Sequence, residues 1–294
     1  MEATQMPDLP LILATVLILA TLGGSAVLWM MRIMKPKHQI IPDPGIHAWS
    51  IGWVNFLIFI CALIFGITFT QVAGSIVFRE QIKAADGELT PWLGVLAVLL
   101  LQAPMFAVYI LLRRFAPGQF ADRLNKNEIS LWQAACIAVP AFIRGLPIIW
   151  LCSMPWSYLL EIFQQAGWIK EPEPQALVTL LASGGNPFAI LLLVFCAVIV
   201  APVVEETVFR GCIYRFFKSQ TTLIPAQVIS AVIFSCLHLN LLSFFPLVIV
   251  GFLLSRAYEA GGNLKTSIIF HACFNSFTLV ILYLTSISEV IPKL

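Results

Sequence analysis

The chain has 294 residues, of which 60% are hydrophobic and only 11% charged, with a mean hydropathy of +0.92. An ordinary soluble domain carries about 25% charged residues, so this composition excludes a water-solvated globule and predicts helices that cross a bilayer. The net charge of +2 excludes a nucleic-acid partner on electrostatic grounds, and the basic residues gather at the ends of apolar runs.

No small-residue cleavage site follows the first apolar run, and Glu2 and Asp8 replace the basic start of a signal peptide. The first span, about Leu11 to Met31, ends at Arg32, Lys35 and Lys37, which by the positive-inside rule face the cytoplasm. A second apolar stretch, Ile51 to Phe78, leads to a loop with Arg79, Glu80, Lys83, Asp86 and Glu88. The third, Trp92 to Leu112, returns to Arg113 and Arg114. The fourth, Leu131 to Leu160, contains Pro140, Arg144, Gly145 and Pro147, a pattern that predicts a kinked or broken helix. A short interfacial helix is expected in the polar loop from Glu161 to Asn186. The fifth span starts near Pro187, stays apolar to Val204 and continues through charged residues to Arg215 and Lys218. The sixth runs from Pro225 to His238, the seventh from Phe244 to Tyr258 and the eighth from Leu264 to Ile287.

The expected fold is therefore all-α, a polytopic transmembrane bundle of about eight spans. Residues 1–186 carry spans 1–4 and residues 187–294 carry spans 5–8 of one integrated bundle. In this arrangement twelve of the seventeen Lys and Arg residues lie on the inner side, which puts both termini outside. The seven cysteines include no CxxC pair and read as small core residues. The absence of an internal repeat argues against an inverted-repeat transporter.

Ionisable groups at membrane depth cost roughly 2.5 to 3.5 kcal/mol each on insertion scales, so a span that keeps them usually uses them. Glu206 and Arg210 are four residues apart and share a helix face, which predicts an ion pair. Glu205 points about 100° away, toward a cavity. Phe234 and His238 share one face of the sixth span, and His271 and Asn275 one face of the eighth. Glu205 is the expected general base on a water molecule, with His238 orienting that water or sharing its proton. His271 and Asn275 are the expected donors to the oxyanion. The same Glu205, His238 and His271 offer a three-ligand zinc set. No HExxH helix is present, and the metal-free chemistry, with no cofactor, is the first reading. Arg144 can pair with Glu205 or Glu206 or line a cavity; Asn240, Glu259 and Lys265 read as loop or helix-end residues. These boundaries put Glu205 near an inner helix end and His238 near an outer one. A deeper Glu205, and a sixth span extended past His238 into Leu239 to Leu242, would reconcile them.

Taken in order on separate spans, Glu205-Glu206-xxx-Arg210, Phe234-xxx-His238 and His271-xxx-Asn275 resemble the motif set of the CPBP family. That family groups the type II CAAX prenyl endopeptidases with bacterial Abi proteins. The resemblance covers about Pro187 to Ile287. It implies that Glu205, His238, His271 and Asn275 are catalytic, with Glu206 and Arg210 supporting them, and it leaves zinc dependence open. It further implies an intramembrane peptidase, a peptide or protein substrate, prenylated substrates among the candidates, and a multi-pass protein of the bacterial inner membrane. The alternatives are a non-enzymatic scaffold or bacteriocin-immunity protein and a proton-coupled transporter.

Overall fold

The computed structural model describes residues 9–34, 45–85, 90–120, 123–170, 180 and 185–286. Lys35, Lys37, His38, Asp86, Glu88 and half of the segment expected to hold an interfacial helix, residues 171–179 and 181–184, lie outside the described residues. The described residues form helices and no strand. They are α1 (Leu9–Met34), α2 (Trp53–Val77), the short α3 (Arg79–Ala84), α4 (Pro91–Phe115), the single turn α5 (Pro117–Phe120) and α6 (Leu131–Gln165). Then follow α7 (Pro187–Gln220), α8 (Leu223–Cys236), α9 (Leu241–Gly261) and α10 (Leu264–Ser286). Seven of these, all but α3, α5 and α8, are long and apolar enough to cross a membrane.

Local chemistry sets the helix starts. The Thr90 hydroxyl accepts from the Leu93 N–H just ahead of Pro91, and Ser130 and Gln133 close a capping box on α6. Asn186 Oδ1 accepts from the N–H groups of Phe188 and Ala189 before α7, and Asn240 Oδ1 does the same for Ser243 before α9. At the far end of α9, Gly262 takes φ +63°, a left-handed cap in which it avoids the Cβ penalty.

Two expectations are corrected. The fourth span is not broken: α6 runs unbroken for 35 residues through Pro140, Pro147 and Pro155. Neighbours on several sides, α1, α9 and α10, pack along it and hold the helix where prolines alone would loosen it. The sixth span is not extended past His238. It keeps the expected length of 14 residues but sits two residues earlier, with α8 ending at Cys236, Leu239 turning back at φ +49° and Asn240 capping α9. At about 1.5 Å per residue its 14 residues reach only about 21 Å, less than the roughly 30 Å of a hydrocarbon core.

The fifth span departs from a regular helix twice, with π-helical turns at Cys196–Val200 and Phe209–Tyr214 flanking the segment Ala201–Val208. Pro202 cannot donate to the carbonyl four residues back and its ring crowds that carbonyl, so the first wide turn sits where the sequence requires one. Two larger apolar clusters of the described residues organise the packing. One joins α2, α4, α7 and α8 through Phe56, Phe59, Phe209, Phe216 and Phe234. The other joins α6, α9 and α10 through Phe142, Leu146, Val250, Leu254 and Phe270. Between the clusters α8 and α9 form a tight hairpin. A Cβ on Gly251 would lie 2.9 Å from the Ala231 Cα, so only glycine permits this approach.

Candidate active site

Glu206 is the buried centre of the polar cluster. Its side chain is 0% exposed, and its Oε1 accepts from Arg210 Nη1 at 2.8 Å, the helix-face pair the four-residue spacing predicts. The Ser267 hydroxyl donates to Oε2, and His271 Nδ1 lies 2.9 Å from Oε1. Arg210 reaches across to the Gly251 carbonyl through Nη2, so one ion pair bolts α7 to α9 and α10. An ionised carboxylate only accepts, so the proton of His271 sits on Nδ1 and faces Glu206. That leaves Nε2 as the working nitrogen, 3.9 Å from Glu205 Oε2.

Glu205 points the other way, as the 100° step requires, and keeps 13% of its side chain exposed. Its Oε1 accepts from Gln102 Nε2 on α4 at 2.7 Å. Next to this pair a cavity of about 460 Å³ opens between α4 and α7, lined by Leu99, Gln102, Phe106, Ile110, Val200 and Val204 among others. Phe234 is the hub on the opposite side. The Arg210 guanidinium carbon sits 4.4 Å from its ring centre, His271 meets it edge-on at 5.8 Å, and His238 lies against it at 4.7 Å. Such a ring can hold a cation and two imidazoles without adding a competing hydrogen bond.

His238 lies just beyond the end of α8, with Nδ1 2.8 Å from the Phe234 carbonyl. A carbonyl accepts, so here too Nδ1 carries the proton and Nε2 is left bare. The conflict of depth disappears because α8 is short: its end is level with Phe234 and His271 instead of lying a full span away. Asn275 uses one of its two amide N–H groups on the Ala197 carbonyl, at 2.7 Å. Ala197 lies in the first π-helical turn, where the widened helix frees carbonyls for such partners. The other amide N–H and Oδ1 remain for a ligand.

Arg144 is half-buried on α6, and its carbonyl accepts from Trp29 Nε1. The carboxylates it was expected to meet are engaged elsewhere, Glu206 by Arg210 and Glu205 by Gln102. Glu259 is not a simple helix-end residue. It is 1% exposed and gathers Lys218, Tyr214 and the Ile46 N–H. Asn240 and Lys265 do serve at element ends, Asn240 as a cap and Lys265 by donating to the Ile129 carbonyl.

Two residues of the cluster escape the motif reading. Ser267 lies four residues before His271 and eight before Asn275, a single stripe along α10 that spacing alone could have revealed. Gln102 left a fainter trace, a lone amide in an otherwise apolar run of α4.

Residues 187–277 match the family model described as Type II CAAX prenyl endopeptidase Rce1-like. The helices of this segment are thus similar to those of type II CAAX prenyl endopeptidases. The chain is also similar to the Bacillus subtilis (strain 168) protein named "Putative membrane peptidase YdiL". That match is 25% identical over 222 residues, covering 64% of this chain and 87% of the relative. No solved structure matches the chain. The CPBP-type region holds every motif residue named above, whereas Gln102 lies outside it. Among the described residues no group of three or more His, Cys, Asp or Glu side chains is placed to hold a metal ion.

Proposed function

We propose that the chain is an intramembrane endopeptidase that hydrolyses a peptide bond by glutamate-activated water. The match to the CAAX prenyl endopeptidase model and the similarity to a protein named as a putative membrane peptidase support a membrane peptidase acting on a protein or peptide. The observation that carries the finer reading is the facing pair of Glu205 Oε2 and His271 Nε2, 3.9 Å apart, with Glu206 fixing the far side of the imidazole. A buried carboxylate behind a histidine sets its tautomer and holds the ring in one orientation.

The step balances without a covalent intermediate. Glu205 takes a proton from water as the water oxygen bonds to the carbonyl carbon of the substrate. The oxyanion that forms accepts from the Nε2–H of a protonated His271 and from the free amide N–H of Asn275, donors worth roughly 3 to 4 kcal/mol each in a dry site. His238, with its bare Nε2, accepts from the other hydrogen of the water and aims it. Collapse of the intermediate breaks the C–N bond, and the proton on Glu205 passes to the leaving amine. The Phe234 carbonyl on Nδ1 of His238 leaves its Nε2 bare to accept, and Glu206 on Nδ1 of His271 turns the other ring nitrogen toward Glu205, where its proton can meet the oxyanion.

A prenylated peptide ending in a CAAX sequence is the first substrate to offer, in view of the family description, and the bacterial inner membrane is the proposed location. Full-length protein in detergent micelles would be given a fluorogenic farnesylated CAAX peptide and its unprenylated counterpart. Glu205→Gln should lower the cleavage rate by about 10²- to 10⁴-fold, the range of general base catalysis, without altering the melting temperature of the protein. Unchanged cleavage by that variant would sink the mechanism. Activity should also survive chelation, checked by elemental analysis of the chelated protein.

A further inference from the structure

Gln102 is 97% buried on α4, and its surroundings are apolar apart from Glu205. Its Nε2 donates to Glu205 Oε1 at 2.7 Å, while its Oε1 is buried with no hydrogen-bond partner. Turning the amide over would not relieve this, because the carbonyl oxygen would then face a carboxylate that can only accept. The side chain therefore makes one bond at the expense of the other end, an arrangement that packing does not call for. A leucine would fill the same space and leave nothing unpaired.

We propose that Gln102 is a positioning residue for the general base, supplied by α4 from outside the CPBP-type region; this rests on the reading of Glu205 given above. A glutamate side chain is free to turn about its last bond, which exchanges the two oxygens. Holding Oε1 on Gln102 leaves Oε2 as the oxygen that faces His271 and the attacking water. A base held in one orientation meets its proton without first losing rotational freedom. Pro104, two residues on, lies inside α4 close to this pairing, and Thr70 on α2 binds the Leu100 carbonyl beside it. The backbone that carries Gln102 is thus tied to a second helix.

The test uses Gln102→Leu and Gln102→Met in the full-length protein, two apolar replacements of similar size. With the farnesylated peptide, kcat should fall roughly 10- to 100-fold while KM stays within about twofold of the wild type. A wild-type kcat, or a raised KM at unchanged kcat, would overturn the assignment. A second readout needs no turnover. A hydrophobic carbodiimide should modify Glu205 several-fold faster in both variants than in the wild type, read by peptide mass spectrometry, because the carboxyl group has lost the donor that holds it. Equal modification rates would overturn the pairing. If the wild type cleaves no peptide, the peptidase reading fails by itself, and the labelling rates still decide whether Gln102 holds Glu205.

Discussion

The Glu206–Arg210 pair shows how a buried charge is made tolerable: each group is fully covered, and each has further partners, Ser267 and His271 for the carboxylate and the Gly251 carbonyl for the guanidinium. Breaking such a pair on one side strands the other charge, so Arg210→Met should destabilise the protein by about 3 to 5 kcal/mol. The double variant Glu206→Leu, Arg210→Met removes both charges and should recover most of that loss. Activity should stay absent, because His271 no longer has the carboxylate that sets its tautomer. Unfolding in a graded detergent titration, run beside the peptide assay, separates the two effects, and a double variant as unstable as the single one would contradict the account. These roles were largely legible from spacing, since residues four apart on a helix must share a face. The bond from Gln102 to Glu205 was not. It joins residues 103 positions apart, and nothing in either local sequence says which helices become neighbours.

At the scale of elements, the feature that brings the site together is the short α8. The apolar run from Pro225 continues past His238 into Leu239, Leu241 and Leu242, so hydropathy allows the sixth span to be extended beyond His238. The fold breaks it where Leu239 turns to φ +49° and Asn240 caps the next helix. Asn240 was the available signal, an N-cap residue inside an apolar stretch. The π-helical turns of α7 are a second such case: Pro202 marks the first, but no residue pattern announces the carbonyl of Ala197 as a partner for Asn275. The α8–α9 hairpin depends on Gly251. A methyl there would meet the Ala231 Cα at 2.9 Å and Arg210 Nη2 at 3.3 Å. Gly251→Ala should therefore cost about 1 to 3 kcal/mol by overpacking and lower cleavage by disturbing Arg210. Gly118→Ala, with open space around the added methyl, is the matching control and should leave both unchanged.

For the whole molecule, the question is how the amino-terminal helices are held to the helices that bear the site. Part of the answer lies at the end of α7 that carries Lys218. Glu259, buried on α9, accepts from the Ile46 N–H at 2.8 Å, from Lys218 at 2.5 Å and from the Tyr214 hydroxyl. Lys218 also donates to the Ile46 carbonyl, Arg215 to the His47 carbonyl, and the Trp49 N–H to the Arg215 carbonyl. The backbone of residues 46–49, which leads into α2, is thereby fastened to both α7 and α9. Composition and hydropathy foresaw helices in a membrane but not this fastening, because its acceptors are mostly backbone carbonyls, which no side-chain motif encodes. Glu259→Ala removes the shared acceptor and leaves Lys218 without its counter-charge, a loss of about 3 kcal/mol or more for a buried pair. The loss should fall on the strap of residues 46–49, whose first residue Glu259 and Lys218 hold, and leave the Glu206 cluster intact. Amide hydrogen exchange over residues 45–51 should therefore speed up by at least tenfold in the variant, while exchange around Glu206 and His271 stays as in the wild type. Equal protection of the strap in both proteins would show that the apolar contacts of Trp49 with Phe59 and Phe120, not the Glu259 network, hold it in place.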